Sequence, residues 1–154
     1  MAWQEWKKDG DAVHRKTAKE LLSELMESND IRGFLAANQG EFLCPMHRYL
    51  NQIIEEKQLN RLEIIRAAQM EKAYGYHIFS GEKPNPSRGR LLSLVLAMGL
   101  DLEETQRFLR HARQPELYPR IPRDAVVISA IQKKLTVRET NELLRTLGEG
   151  TLVK

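Results

Sequence analysis

Residues Leu59–Gly81, with the sequence LNRLEIIRAAQMEKAYGYHIFSG, carry the most specific structural pattern in this chain. It contains two short segments in which apolar residues recur at helical spacing, and a tight turn joins them. A third helical pattern precedes it at Tyr49–Lys57. A polar loop with the sequence EKPNPSRG follows it, and then a strongly apolar helix at Arg88–Met98. This layout predicts a helix-turn-helix embedded in a small helical core.

Length and composition predict a soluble globular protein that is either one domain with a sizeable core or one domain with small additions. The chain has 154 residues, of which 42% are hydrophobic and 29% are charged. No apolar run approaches the roughly 20 residues that cross a bilayer, and the first residues show no apolar core of a secretory signal. A single cysteine, Cys44, permits no internal disulfide. We therefore expect a cytoplasmic protein without a membrane partner.

Positive charge is concentrated around the predicted turn. Residues 57–90 carry seven Lys or Arg and three acidic residues, so their net charge is +4. Residues 1–44 carry six basic and eight acidic residues, a net charge of −2. Such a distribution is typical of a phosphate-binding surface. The alternative is a solvated helical surface with a chance imbalance of charge.

The starts of the helices are easy to recognise. At four places a side-chain oxygen stands three residues before a Glu, a spacing that satisfies two backbone N–H groups of a helix start. These places are Thr17–Glu20, Asn60–Glu63, Asp101–Glu104 and Thr136–Glu139. No strand pattern of useful length occurs, so the fold class is predicted to be all-α.

Three segments are predicted along the chain. Residues 1–44 form an N-terminal helical extension. We place its end at Cys44–Pro45, because a residue before proline favours an extended backbone. Residues 45–113 form the helix-turn-helix domain, and residues 114–154 form a C-terminal two-helix extension too small to fold alone. In the first segment we expect apolar side chains to be buried. They are Ala18, Leu21, Leu22, Leu25 and Met26 on one helix, Ile31, Phe34 and Leu35 on the next, and Phe42 and Leu43 at the junction.

Positions 49–109 resemble the phage-repressor-like, Xre-type helix-turn-helix family. The resemblance rests on the EEKQLN entry to the first helix of the pair, the Ser-Gly end of the second, the Pro-Ser before residue 88 and the LLSLVLAMGL run. It implies a lambda-repressor-like core of five helices, in which the helix at 71–80 enters the major groove of DNA. It further implies a sequence-specific transcriptional regulator that is not an enzyme, binds double-stranded DNA as a homodimer and needs no cofactor or metal.

The resemblance also implies which side chains contact DNA. Glu71 either accepts a hydrogen bond from a cytosine amino group or only favours the start of its helix. The candidate DNA-binding residues are Arg61, Glu71, Lys72, Ala73, Tyr74, Tyr76, His77, Lys83, Asn85, Ser87 and Arg88.

Cys44 and His47 could form a catalytic pair or half a metal site, but a buried structural cysteine is favoured.

Three residues depart from the pattern of the family. Gln69 stands where the turn usually has Gly, so a residue with a Cβ atom is expected to adopt a left-handed backbone. Ile65 replaces the usual Ala, and Gly75 replaces the usual Ile or Val on the facing helix. Because the two changes nearly conserve volume, we predict that Ile65 packs against Gly75. The alternative function is a protein–protein interaction module on this scaffold that has lost DNA readout, and RNA binding is a weaker third possibility.

Overall fold

The computed structural model describes residues 15–153, and every regular element in this range is helical. The all-α prediction is therefore confirmed for the described residues. The chain divides into two compact units, Met1–Cys44 and Pro45–Lys154. None of the described helices is both long enough and apolar enough to cross a membrane.

The described part of the first unit, from residue 15 onward, contains two α-helices and a short 3-10 turn at Gln39–Glu41. Helix α1 spans Ala18–Glu27 and begins with the predicted reciprocal cap of Thr17. Helix α2 spans Ile31–Ala37. The buried side chain of Asn38 donates to the Phe34 carbonyl oxygen at 2.9 Å and to Glu24 Oε1 at 3.0 Å, so a polar network links the two helices.

The predicted apolar core of this unit is wrong in most of its members. Helix α1 contains no buried residue, and Phe34 is the only buried apolar side chain in the described part of the unit. The spacing of apolar residues shows that a helix is amphipathic, but it does not show what covers the apolar side. The large side chains expected inside but found exposed are Leu22, Leu25, Met26, Ile31, Leu35, Phe42 and Leu43.

The second unit contains seven α-helices among its described residues. Asn60, Asp101 and Thr136 each accept a hydrogen bond at the start of a helix, as their positions in the sequence predicted, and Ser87 accepts one in the same way. The helices are α3 (Met46–Glu56), α4 (Arg61–Ala67), α5 (Lys72–Ser80), α6 (Arg88–Met98), α7 (Leu102–His111), α8 (Pro122–Gln132) and α9 (Val137–Thr146).

Helix α6 lies at the centre of this unit. It is apolar on nearly all sides, and it contacts α4 on one side and α9 on another. Helix α3 packs between α5 and α7, where the ring of Tyr49 meets that of Phe108 edge to face, with 6.2 Å between centroids. Leu91, Leu92, Leu94 and Val95 of α6 are at most 1% exposed. The surrounding helices therefore share one core.

The closest packing in the α4–turn–α5 pair confirms two predictions. Gln69 has a φ of +59°, so it adopts the left-handed backbone expected of the turn. A Cβ atom added to Gly75 would lie 2.6 Å from two side-chain carbons of Ile65. Because Ile65 is fully buried, it leaves room only for glycine on α5 at this point.

The C-terminal helices and the tail after them pack on the same unit. Leu152 is buried, its N–H donates to Asn141 Oδ1 at 2.9 Å, and its carbonyl oxygen would lie 1.7 Å from a Cβ atom on Gly89. The guanidinium of Arg123 donates to the carbonyl oxygens of Gly150 and Thr151. The segment 150–152 therefore packs on this unit, and the backbone of Leu152 lies against the first turn of α6.

The effect of Gly75→Ala on the free energy of unfolding should change sign when Ile65 is replaced by Ala. In the native chain the new methyl group collides with Ile65, which should cost about 1–3 kcal/mol and outweigh the gain of about 1 kcal/mol in helix propensity. Ile65→Ala alone should cost about 2–5 kcal/mol by opening a cavity. In that background Gly75→Ala should stabilise the protein. Urea unfolding of the four proteins measures the coupling, and additive effects would contradict the packing.

Candidate nucleic-acid interface

One side of α5 faces solvent. Lys72, Ala73 and Tyr76 are exposed, whereas Gly75, Ile78 and Phe79 on the opposite side are buried. Positions 72, 73 and 76 lie on one side of a helix because a turn takes 3.6 residues. The predicted reading helix therefore presents a continuous surface with an ammonium group, a methyl group and a phenol.

The start of α5 carries a carboxylate. Glu71 is the residue immediately before the helix, it is exposed, and its side chain makes no capping hydrogen bond. Negative charge at this position is favoured by the unpaired N–H groups at the helix start. This contribution to the helix accounts for Glu71 without any contact to a base, and contact with a base stays a prediction.

Two candidate residues on α5 have partners within the protein. The ring of Tyr74 is half-buried, and the guanidinium of Arg90 lies 4.4 Å from its centroid. His77 Nε2 lies 3.5 Å from Glu82 Oε2. A cation over the Tyr74 ring is attracted to the face of its π system, so Arg90 and Tyr74 hold α6 and α5 in register. Arg90 was not among the predicted site residues.

Arg61 belongs to a network that joins three helices. Its Nε donates to Asn51 Oδ1 at 3.0 Å, and its guanidinium lies 5.8 Å from the centroid of the Phe79 ring. Asn51 Nδ2 in turn donates to the carbonyl oxygens of His47 and Phe79, each at 2.8 Å. Asn51 thereby satisfies a carbonyl group near the end of α5, and Arg61 is held at the first position of α4.

The loop after α5 supplies further polar groups. Lys83 and Asn85 are exposed, and within residues 15–153 neither side chain forms a hydrogen bond or an ion pair. The hydroxyl of Ser87 accepts the N–H of Arg90 at 3.2 Å, so it serves as the cap of α6. Arg66 is an exposed cation in the last turn of α4, six residues before the start of α5, and it was not among the predicted site residues.

Arg88 is held by the C-terminal segment. Its guanidinium donates to both carboxylate oxygens of Asp124, at 2.9 and 3.1 Å, and to the carbonyl oxygens of Pro115 and Glu116. Its side chain is 21% exposed and that of Asp124 is 3% exposed. The sequence suggested that Arg88 contacts phosphate, but this geometry directs its donors into the protein. We name this arrangement the Arg88–Asp124 clamp.

The clamp shifts the ionisation of its carboxylate. Burial disfavours the charged form of Asp124, but hydrogen bonds from Arg88 and from the Tyr118 N–H outweigh burial and lower the pKa of Asp124 below its usual value. The charged form is therefore tied to the folded state. It links α8 and the segment before it to the first residue of α6.

No metal centre is assembled in the described part of the chain. Among residues 15–153, no group of three or more His, Cys, Asp or Glu side chains is arranged to hold an ion. Cys44, which the sequence suggested would be buried, is half-buried.

Comparisons with protein-family models, with curated proteins and with solved structures found no match for this chain.

The stability of the Asp124→Asn variant, compared with that of the native protein at several pH values, should reveal the contribution of the Arg88–Asp124 clamp. The pKa of Asp124 is lowered in the folded state, so its carboxylate stabilises the fold. This contribution to stability is complete above about pH 5 and is lost as the pH falls through about 4 and below. The variant should be less stable by about 2 kcal/mol or more at pH 7, and the difference should shrink in acid. Urea unfolding from pH 7 to pH 3 measures it.

Glu142→Gln provides the matched control, because within residues 15–153 the side chain of Glu142 forms only an exposed pair with Arg138 at 3.8 Å. Its removal should change stability little at any pH. A constant difference between the Asp124→Asn variant and the native protein from pH 7 to pH 3 would refute the role of the carboxylate.

Proposed function

We propose that this protein is a sequence-specific DNA-binding regulator that inserts α5 into the major groove of double-stranded DNA. The observation that carries the proposal is the solvent-facing side of α5, formed by Lys72, Ala73 and Tyr76. A helix-turn-helix protein reads bases with a few exposed side chains near the start of its second helix. The partner helix α4 is held firmly against α5 by the contact of Ile65 with Gly75.

The charges around α5 support binding to phosphate. Arg66, Lys72 and Lys83 are exposed, and in the described range none of them forms an ion pair. Glu82, an acid in the same region, lies beside His77. Cations with no acidic partner are available to replace the counterions of DNA, which supplies affinity that does not depend on sequence. Lys72 and Tyr76 would then distinguish bases.

In this proposal the unit follows the lambda-repressor-like arrangement and acts without catalysis, cofactor or metal. Arg88 would position the start of α6 through the clamp and would not itself contact phosphate. Arg61 would likewise hold α4 through Asn51. A homodimer would present two copies of α5 to a palindromic site, because the symmetry of the protein matches that of the DNA.

A second function, a protein-binding module on the same scaffold, is favoured by one observation. Glu71 and Glu82 lie at either end of α5, and Tyr76 is 38% exposed between them. A mixed surface with an aromatic side chain suits a protein partner as well as it suits DNA. The two functions differ in their dependence on salt and on base sequence.

Lysine substitutions should separate the two contributions to DNA binding. The native protein would first select duplexes from a randomised pool, and binding to the selected and scrambled duplexes would be titrated at several salt concentrations. Lys72→Ala should reduce the preference for the selected duplex. Lys83→Ala should weaken binding to both duplexes alike and reduce the slope of log affinity against log salt by about 1.

Lys133→Ala is the matched control, because Lys133 is an exposed lysine at the end of α8. It should leave both the preference and the salt slope unchanged. If the native protein prefers no duplex over random DNA even at low salt, the DNA-binding proposal fails and the protein-binding function takes its place.

A further inference from the structure

Helices α1 and α2 leave an apolar surface exposed. We name it the α1–α2 apolar surface. It consists of Leu22 (57% exposed), Leu25 (38%), Met26 (77%), Ile31 (56%) and Leu35 (47%).

This surface is large for the unit that carries it. The helices have only 10 and 7 residues, and such short helices need tertiary packing to be stable. All five side chains are at least 38% exposed. A group of exposed large apolar side chains on two neighbouring helices is typical of an interaction site.

A charged ridge runs beside this surface. One row of side chains along α1 has a spacing of four residues and consists of Lys19, Ser23 and Glu27. It lies next to the row formed by Leu22 and Met26. Lys19 and Glu27 are exposed, and within residues 15–153 neither of them forms an ion pair. The cation stands near the start of α1 and the anion at its end, which opposes the preference of the helix dipole.

We propose that a second copy of this chain covers the α1–α2 apolar surface, with the two α1 helices antiparallel. A twofold axis near Ser23 places Lys19 of each copy beside Glu27 of the other. Each charge then lies near an opposite charge and near the favourable end of the neighbouring helix. If the two α1 helices were parallel, Lys19 would lie beside Lys19 and Glu27 beside Glu27. An unrelated partner would not require a lysine at the start of α1 and a glutamate at its end.

The α1–α2 apolar surface would form the homodimer that the proposed function requires, and this dimer can be tested without DNA. If the chain forms this dimer but does not bind DNA, only the proposed function fails. If the chain binds DNA as a monomer, only the present inference fails.

Sedimentation equilibrium of the full chain tests the interface. The native chain should dimerise, and Met26→Lys should raise the dissociation constant by about tenfold or more by placing a charge in the apolar contact. Leu147→Lys is the matched control, because Leu147 is a large apolar residue that is also exposed (56%, against 77% for Met26) but follows α9. It should leave the dimer unchanged. Circular dichroism melts check that each variant folds.

Exchange of the two charges tests the antiparallel order. Lys19→Glu and Glu27→Lys should each weaken the dimer about threefold to tenfold, because each substitution places like charges together twice in the symmetric pair. The double variant should return to within about twofold of the native dissociation constant. A double variant as weak as the single variants would overturn the proposed arrangement.

Two further outcomes would also overturn the inference. One is a native chain that stays monomeric at every concentration, since the surface would then belong to another protein or to the first 14 residues of this chain. The other is a dimer that Met26→Lys leaves intact.

Discussion

The contact between Ile65 and Gly75 is the constraint on which the α4–turn–α5 pair depends. The branched side chain of Ile65 fills the space that a Cβ atom on α5 would need, so the two helices can approach closely only at a glycine. The left-handed backbone of Gln69 then reverses the chain within a short turn. Together they place the buried side of α5 against the core and leave Lys72 and Tyr76 in solvent.

Helix α6 holds this pair in place, and the C-terminal segment holds α6. Arg88, at the first position of the helix, binds Asp124 and two backbone carbonyl groups, while Gly89 admits the backbone of Leu152. Arg90, one turn of α6 further on than Ser87, stacks on Tyr74 of α5. The residues after position 114 therefore contribute to the geometry of α5, although they lie outside residues 49–109.

The surface around α5 combines groups that are available to a ligand with groups that are committed to the fold. Lys72, Lys83 and Asn85 belong to the first kind, and Arg61 and Arg88 belong to the second. A guanidinium group has five donors in a planar fork, so it often serves as a link within the protein as well as a contact to phosphate. A basic residue near α5 can therefore affect ligand binding indirectly, by holding the helices in position.

The sequence predicted the helical class, four capped helix starts, the left-handed turn at Gln69 and the fit of Ile65 to Gly75. These features depend on hydrogen bonds within one turn of helix, or on the volumes of two facing side chains. The three-dimensional structure was needed to show that Arg88 binds Asp124, 36 residues away, and that the apolar side of α1 is exposed rather than buried. Amphipathic spacing states that a surface needs a partner, but the identity of that partner depends on how distant segments of the chain pack.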